Sequence, residues 1–531
     1  MKKKIVKNNN KKRILLGIVI VSTILRFLLS YKLPSFVISN MVYDDALMMS
    51  KLFSLIDGKY FGIYNALTLV KGCIYPLVLF IAYKLHISYS IFLTILYILS
   101  CIYFTLSLKS ITKRKWILVV IYIVLLFNPV SYSIELLQRL YRNSLSIIEI
   151  LFFLGVIFRI LTNKKESIYN YIFLGLIISI MYLTKEENIW VFVILFLVYI
   201  YKLYKKHKFK NIMYYLIPLF EIIICLNIVC LINYKYYKIY TYNELNKSEF
   251  KKAYTNILKI KDENNKYNVP ITKNTLYKLY EKSKVFNLNK KNIDLMYEMG
   301  AEENGEIYSG NMVWYFKSFV FAANQFKSGE ESERYFYYLN KEIDELFKKG
   351  EFKKKFSFFS IFINAPTFND IKKLPKALLN TIIYTSSYKD IKVINNKNYS
   401  DWKYDKKYKT YYFQYYDYHN TAKIVDKSPL LYEILRNIYK YLTIILSIPC
   451  LIIYIKNIKK IDKLNILLHV ILITYLIIIC GVTYTHVVSF DALRYGYLGN
   501  IYLLQNMFIL LNLVRLYRNK ILNVKKEKRD N

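Results

Sequence analysis

An acidic pair, Asp44 and Asp45, follows the first apolar stretch of the chain and is the first place where side chains could do chemistry. Adjacent carboxylates that face a water-filled cleft could hold a divalent cation. Alternatively, one could act as a general base while the other tunes its pKa. The motif is only two residues long. The alternative interpretation is that both acids lie in a solvated loop.

Lys71 stands in a second polar stretch, TLVKG, which runs into Tyr75 and an apolar segment. A lysine where an external loop returns to the membrane surface can pair with a phosphate group. Gly72 permits a close backbone approach there. Lys71 and Tyr75 are therefore predicted to bind substrate. The alternative for Lys71 is a lysine that merely extends along apolar surface to reach water.

Two arginines, Arg139 and Arg142, occur in the stretch SIELLQRLYRNS. Their spacing of three predicts that they share one face of a helix. Guanidinium groups recognise phosphate through paired hydrogen bonds, so we expect both to stabilise a phosphate. The alternative is a structural ion pair with Glu135.

Two further stretches complete the set of candidate residues. Glu186 and Glu187 lie in TKEENIW, where they are candidates for substrate binding or, alternatively, favourable acids in the first turn of a helix. Arg494 follows Asp491 and could bind either a phosphate or that carboxylate. His486 is expected to pack, since no partner at metal-ligand spacing supports a metal site.

The elements that must position these residues are apolar helices. Hydrophobic residues make up 55% of the 531 residues and aromatic residues 17%, while the charged 21% stand between long apolar stretches. Only 14 Gly, 9 Pro and 6 Cys are present, which excludes collagen-like, disordered and disulfide-rich classes. The sequence contains no CxxC motif, so it does not indicate a zinc site. The composition predicts an all-α, multi-pass transmembrane helical bundle.

About ten membrane spans are predicted from apolar length. They cover residues 14–30, 89–108, 116–132, 144–162, 168–183, 189–204, 211–232, 429–455, 463–483 and 496–516. With both termini in the cytoplasm, the lysine-rich connectors all fall inside, as the positive-inside rule requires. The apolar segment 73–86 is short, and a membrane span there would move every later loop to the opposite side of the membrane. We expect it to be a juxtamembrane or re-entrant helix.

Three regions follow from this topology. Residues 1–233 form an N-terminal membrane module with a first external loop at 31–88, residues 234–428 form a mostly helical extracytoplasmic insert, and residues 429–531 form C-terminal membrane helices with a basic tail. The net charge of +40 reflects lysine-rich composition and cytoplasmic loops, so no nucleic-acid partner is expected. All candidate residues then lie on the outer face of the cell membrane.

Four stretches together resemble the C-type (GT-C) membrane glycosyltransferases, which include protein O-mannosyltransferases and the aminoarabinose transferase of lipid A. The resemblance is closest to a largely uncharacterised bacterial subgroup, and it extends through almost the whole chain. It is carried by YDDALMMSKLFSLIDGKYFGIYNALTLVKGCIYP, QRLYRNSL, YLTKEENIW and GNMVWYFKSFVFAANQFKSGEESERYFYYLNKEIDELFKKGEF. The first stretch is the most specific.

The resemblance implies an inverting transfer of a sugar from a polyprenyl-phosphate donor to a glycan or lipid acceptor. By position, Asp44 matches the general base, Asp45 the second acid of the pair, and Lys71 the lysine that binds the lipid phosphate. One departure is Lys317-Ser318, where relatives often carry Arg-Asp after the tryptophan of the insert. The resemblance therefore implies no binding role for that point of the insert.

Two other function classes remain open at this point. A polysaccharide polymerase, ligase or lipid-linked glycan flippase would also act at a membrane. A flippase needs charges along a path through the bilayer, whereas the candidate residues lie at its outer rim. A non-catalytic scaffold whose insert binds cell-wall polymers is the third class.

Overall fold

The structure is a computed structural model, and it describes residues 2–31, 33–38, 43–112, 114–163, 166–205, 212–263, 266–355, 366–389, 391–393, 414–416, 428–493 and 495–530. These residues are largely helical, with a single two-stranded sheet among them. The predicted all-α class is confirmed in this sense.

The N-terminal part consists of nine helices within the described ranges. They are α1 (Lys2–Tyr31), α2 (Asp45–Ile56), α3 (Ile74–Lys84), α4 (Tyr89–Ser107), α5 (Lys115–Leu126), α6 (Ser146–Thr162), α7 (Ile168–Thr184), α8 (Trp190–Lys205) and α9 (Ile212–Tyr237). Local sequence marks several of their ends. The Ser88 hydroxyl, for example, accepts a hydrogen bond from the backbone of Ile91 and caps α4.

The insert contributes six helices, and three more form the C-terminal part of the described chain. They are α10 (Glu249–Leu258), α11 (Lys273–Lys282), α12 (Lys290–Gly300), α13 (Ser309–Asn324), α14 (Gly329–Lys348), α15 (Phe368–Ser387), α16 (Leu430–Lys456), α17 (Lys463–Val488) and α18 (Tyr495–Asp530). α14 buries one apolar face and ends shortly before Gly350, whose φ of 76° suits glycine.

Among the described residues, eight helices are long and apolar enough to cross a membrane. They account for eight of the ten predicted spans. The other two, 116–132 and 168–183, coincide with α5 and α7, which have 12 and 17 residues. The segment 73–86 contains only α3, whose 11 residues extend about 16 Å and fall short of the hydrocarbon core.

Helix α15 packs beside the C-terminal membrane helices, although the sequence assigned it to the insert. The hydroxyl of Thr381 lies 3.1 Å from that of Thr483 on α17. Gln505 on α18 donates to Thr385 at 3.2 Å. Beyond the helix end, buried Tyr388 packs its ring against Tyr502 at a centroid distance of 4.9 Å. A boundary at residue 428 therefore separates helices that share one packed core.

A short strand precedes the acidic pair and was not predicted from the sequence. β1 (Phe36–Ile38) pairs in parallel with β2 (Gln414–Tyr416). The backbone of Leu140 also donates to Phe36 at 2.9 Å. These hydrogen bonds link the approach to the acidic pair with the segment that carries the two arginines.

Candidate functional site

The two aspartates stand at the start of α2 and bind different cations. Asp44 precedes the helix, and its carboxylate forms an ion pair with Lys71. Asp45 is the first residue of the helix and is completely buried. Its carboxylate accepts hydrogen bonds from Arg139, the shortest at 2.6 Å, and from the backbone of Ile38 at 3.0 Å. Adjacent positions thus have separate environments.

Lys71 and Asp44 meet at the hydroxyl of Tyr141. That hydroxyl lies 2.9 Å from the Asp44 carboxylate and 3.2 Å from the Lys71 ammonium. Burial alone would raise the pKa of Asp44, but Lys71, with Arg139 and Tyr141, outweighs it and holds the pKa well below its usual range. Burial lowers the pKa of Lys71, and Asp44 opposes this shift. Asp44 therefore rests as a carboxylate.

Gly72 shows why Lys71 reaches this position. A β-carbon at Gly72 would lie 1.9 Å from the carbonyl oxygen of Leu183 at the end of α7. Only glycine permits the backbone to pass so close to that helix. The predicted close approach at Gly72 is confirmed.

Arg139 and Arg142 do not share a helix face, and this prediction was wrong. Arg139 follows the π-helical turn Ile134–Gln138 in an extended conformation, and Arg142 begins a separate 3-10 turn. The helix is interrupted because Leu140 bonds to the strand segment instead. Arg139 binds both Asp45 and Glu135, the latter at 2.9 Å, so the alternative of a structural pair with Glu135 is confirmed.

Arg142 connects the cluster to the turn that opens α8. Its guanidinium lies 3.3 Å from the Glu186 carboxylate and 3.2 Å from that of Glu187, and Nε donates to Tyr141 at 3.2 Å. Glu186 and Glu187 also lie in the 3-10 turn Glu186–Ile189 just before α8, so the alternative of first-turn acids is confirmed as well. Glu186 accepts a further hydrogen bond from Asn243 at 2.6 Å.

Several residues of this cluster were not singled out from the sequence. Tyr141 is central, although it lies inside the stretch QRLYRNSL. The insert adds Trp314, whose ring lies 5.4 Å from the Lys71 ammonium and stacks on Tyr43 at 5.3 Å. Lys185 donates to Asn143 at 3.1 Å. Aromatic rings that pack against charged residues across long separations leave no signal in a single sequence.

Two predicted binding residues lie apart from these contacts or outside the described ranges. Tyr75 is completely buried, and its hydroxyl accepts a hydrogen bond from Tyr89 at 2.7 Å. Its role in substrate binding stays a prediction. Arg494 lies outside the described residues. Its neighbour Asp491 lies 3.1 Å from the ring of His486.

A second buried lysine supports the loop from behind. The Lys51 ammonium on α2 donates to the carbonyl oxygen of Lys71 at 3.0 Å and lies 5.0 Å from the ring of Phe61. Burial lowers the pKa of Lys51 to about 7. Lys51 therefore holds the backbone of Lys71 while its own charge is destabilised.

The acidic pair offers little to a shared divalent cation in this arrangement. Asp44 and Asp45 bind Lys71 and Arg139, and a metal would have to displace one of these cations. Within the described ranges, no group of three or more metal-ligating side chains comes together. Cation binding at Asp44 and Asp45 stays a prediction.

Together these contacts form one cluster, comprising Asp44, Asp45, Lys71, Glu135, Arg139, Tyr141, Arg142, Glu186 and Glu187. Most of its members are buried, whereas the side chains of Asp44 and Glu187 are 31% and 60% exposed. A ligand therefore has access at these two carboxylates. No protein-family model, curated protein or solved structure matches this chain significantly.

Proposed function

We propose that this chain is a C-type membrane glycosyltransferase, which transfers a sugar from a polyprenyl-phosphate-linked donor to a glycan or lipid acceptor. The observation that carries this proposal is the ion pair between Asp44 and Lys71, 27 residues apart in the sequence. A base for the acceptor and a cation for the donor phosphate must act at one place, and these two side chains are in contact.

The resting ion pair provides a way to couple donor binding to catalysis. When a donor phosphate binds Lys71, the lysine shares its charge between the phosphate and Asp44. The pKa of Asp44 then rises, because the cation that depresses it is partly withdrawn. A carboxylate with a higher pKa is a stronger general base. Asp44 is thus a weak base until the donor binds.

The transfer itself would follow an inverting displacement. The acceptor hydroxyl loses its proton to Asp44, and its oxygen attacks the anomeric carbon from the face opposite the phosphate. The bond from that carbon to the phosphate oxygen breaks, and polyprenyl phosphate leaves with the electron pair. Lys71 stabilises the negative charge that develops on the leaving phosphate.

The remaining charged residues have supporting roles in this proposal. Arg139 pairs with both Asp45 and Glu135, which fixes the start of α2 and the position of Asp44. Arg142 shares its charge with Glu186 and Glu187 and lies beside the exposed carboxylate of Glu187, where a phosphate would approach. Fixed charges of this kind lower a barrier because they need no reorganisation during the reaction.

The location follows from the charge pattern. About ten spans with both termini in the cytoplasm place the cluster and the insert on the outer face of the cell membrane. There the lipid part of the donor would lie in the bilayer beside the helices. The proposed partners are the polyprenyl-phosphate sugar, the acceptor and membrane lipids.

The substitution Asp44→Asn tests the proposal directly. It keeps the size of the side chain but removes the base, so sugar transfer should fall by roughly 10²- to 10⁴-fold. The measurement is mass spectrometry of envelope glycans in a deletion strain that carries each variant. Asp57→Asn is the matched control, because Asp57 is exposed at the end of the same helix and should leave transfer unchanged. Full restoration of the glycan by Asp44→Asn, at normal protein level, would falsify the catalytic role.

A further inference from the structure

A cavity of about 480 Å³ lies at the helix ends opposite the Asp44–Lys71 cluster. α6 connects the two places, since it begins next to Arg142 and Asn143 and extends about 25 Å to the rim of the cavity. The walls come from α6, α8, α17, α18 and the turn that follows α4. The lining residues include Ser110, Asn163, Lys202, Lys205, Lys463 and Arg518.

One wall is built around a buried lysine. Lys202 is 4% exposed, forms an ion pair with Glu166 at 2.6 Å and donates to the carbonyl oxygen of Ile160 at 2.8 Å. Glu166 is held in turn by the hydroxyl of Tyr171 at 2.7 Å. Lys463 reaches across to the carbonyl oxygen of Thr162 at the end of α6. These contacts tie α8 and α17 to the end of α6.

A buried arginine supports another part of the lining. Arg515 is 2% exposed and donates to the lining residue Asp462 at 2.8 Å. Its Nη1 is buried and has no hydrogen-bond partner among the described residues. Asp462 also caps the start of α17 by accepting from Asn465 at 2.8 Å. A single carboxylate therefore serves both the guanidinium and the helix.

The local charge is positive even after these pairs are counted. Five cations surround the cavity, namely Lys202, Lys205, Lys463, Arg515 and Arg518, and they face two carboxylates, Glu166 and Asp462. In the described part of the chain, neither Lys205 nor Arg518 forms an ion pair. Two cations on the lining are thus left for an external anion.

The positive-inside rule explains lysines at this end of the bundle but not their burial. Lysines that only set topology remain solvated, because burying a charge is costly unless it is paired. Lys202 and Arg515 are buried at the edge of an open cavity, and Arg515 has a donor to spare. Basic pockets between membrane helices suit anionic head groups.

We propose that this cavity binds a phosphate-bearing ligand, with Lys205 and Arg518 as its direct contacts. The phosphate belongs either to the head group of an anionic phospholipid or to a soluble phosphate compound. Arginine and lysine at one rim provide a paired donor and a point charge for such a group. This site is separate from the proposed transferase centre and does not depend on it.

The test uses the purified full-length protein and the variant Lys205→Gln/Arg518→Gln. Native mass spectrometry measures retention of dioleoylphosphatidylglycerol against dioleoylphosphatidylcholine. Thermal-shift titration with inorganic phosphate in phosphatidylcholine nanodiscs measures the soluble source. Whichever of the two probes binds the wild type should bind the variant about 30-fold more weakly, as expected for the loss of two basic contacts near a membrane surface.

The matched control is Lys115→Gln/Lys456→Gln, which removes two exposed lysines at the same end of the bundle. It should retain wild-type affinity. Binding of phosphatidylglycerol alone identifies a lipid head group, and binding of inorganic phosphate alone identifies a soluble ligand. No selective binding of either probe, or an equal loss in the control, overturns the proposal.

Discussion

Lys51 and Lys71 illustrate how contacts, rather than residue type, set the chemistry of a side chain. Both lysines are buried next to each other, but within the described ranges only Lys71 forms an ion pair, with Asp44. Lys51 instead donates to a backbone carbonyl and has a pKa lowered to about 7 by burial. Lys71 is the lysine proposed to hold a phosphate, and Lys51 is a structural support whose charge is easily lost.

The substitution Lys51→Met should remove a pH dependence of stability. An unfolded lysine titrates near 10.4, and the folded one at about 7, so the unfolded state binds more protons between these values. Stability of the wild type therefore rises with pH across that window. Between about pH 6 and pH 10, the melting temperature of the wild type should increase relative to that of Lys51→Met.

The control for this experiment is Lys59→Met, since Lys59 is exposed. Its profile should run parallel to that of the wild type. Parallel profiles for Lys51→Met as well would mean that Lys51 does not titrate in this range.

At the scale of elements, the loop that carries Lys71 packs against the end of α7. The contact depends on Gly72, because a β-carbon there would overlap the Leu183 carbonyl. The same loop is held from the insert, where buried Lys317 donates to the carbonyl of Ala66 at 2.8 Å and pairs with Glu244 at 2.7 Å. Lys317, where the sequence differs from the Arg-Asp of the family that it resembles, thus holds this loop in place.

The substitution Gly72→Ala should displace Lys71 while leaving every charged residue in place. The methyl group cannot be accommodated without backbone movement, which costs about 1–3 kcal/mol of stability. A shift of about 1 Å in the phosphate-binding lysine should reduce transfer by roughly 100-fold. The measurements are melting temperature and the envelope-glycan assay.

Gly481→Ala provides the comparison within a membrane helix. No atom lies within 4 Å of a β-carbon at that position, so stability and transfer should stay at wild-type values. Transfer by Gly72→Ala at the wild-type rate would show that the close approach to α7 does not position Lys71.

At the scale of the whole molecule, the helices arrange two charged sites at opposite ends of one bundle. The cluster around Asp44 has five carboxylates for three cations, whereas the cavity near Arg518 has an excess of cations. This asymmetry matches a membrane protein whose basic end faces the cytoplasm. The proposed topology therefore assigns a separate compartment to each site.

A cysteine at Glu303 tests that orientation, since Glu303 is exposed in the insert. In a variant whose six native cysteines are replaced by serine, Glu303→Cys should react with a membrane-impermeant maleimide in intact cells. Lys459→Cys, at the basic end, should react only after the membrane is permeabilised. The reverse pattern would place the cluster in the cytoplasm and remove the proposed lipid-linked donor from its reach.

Apolar length was sufficient to predict the ten apolar helices, because it is a property of contiguous residues. The ion pair between Asp44 and Lys71 was not predicted, because the sequence assigned separate roles to these two residues, which are 27 positions apart. The choice of cation for Asp45 was not predictable, since Arg139 lies 94 residues away and is placed by a strand contact rather than by a helix. The position of α15 beside α17 likewise depends on distant hydroxyl and aromatic contacts. Pairings between remote segments are selected by packing and desolvation of the whole assembly, and these energies are not encoded in local residue patterns.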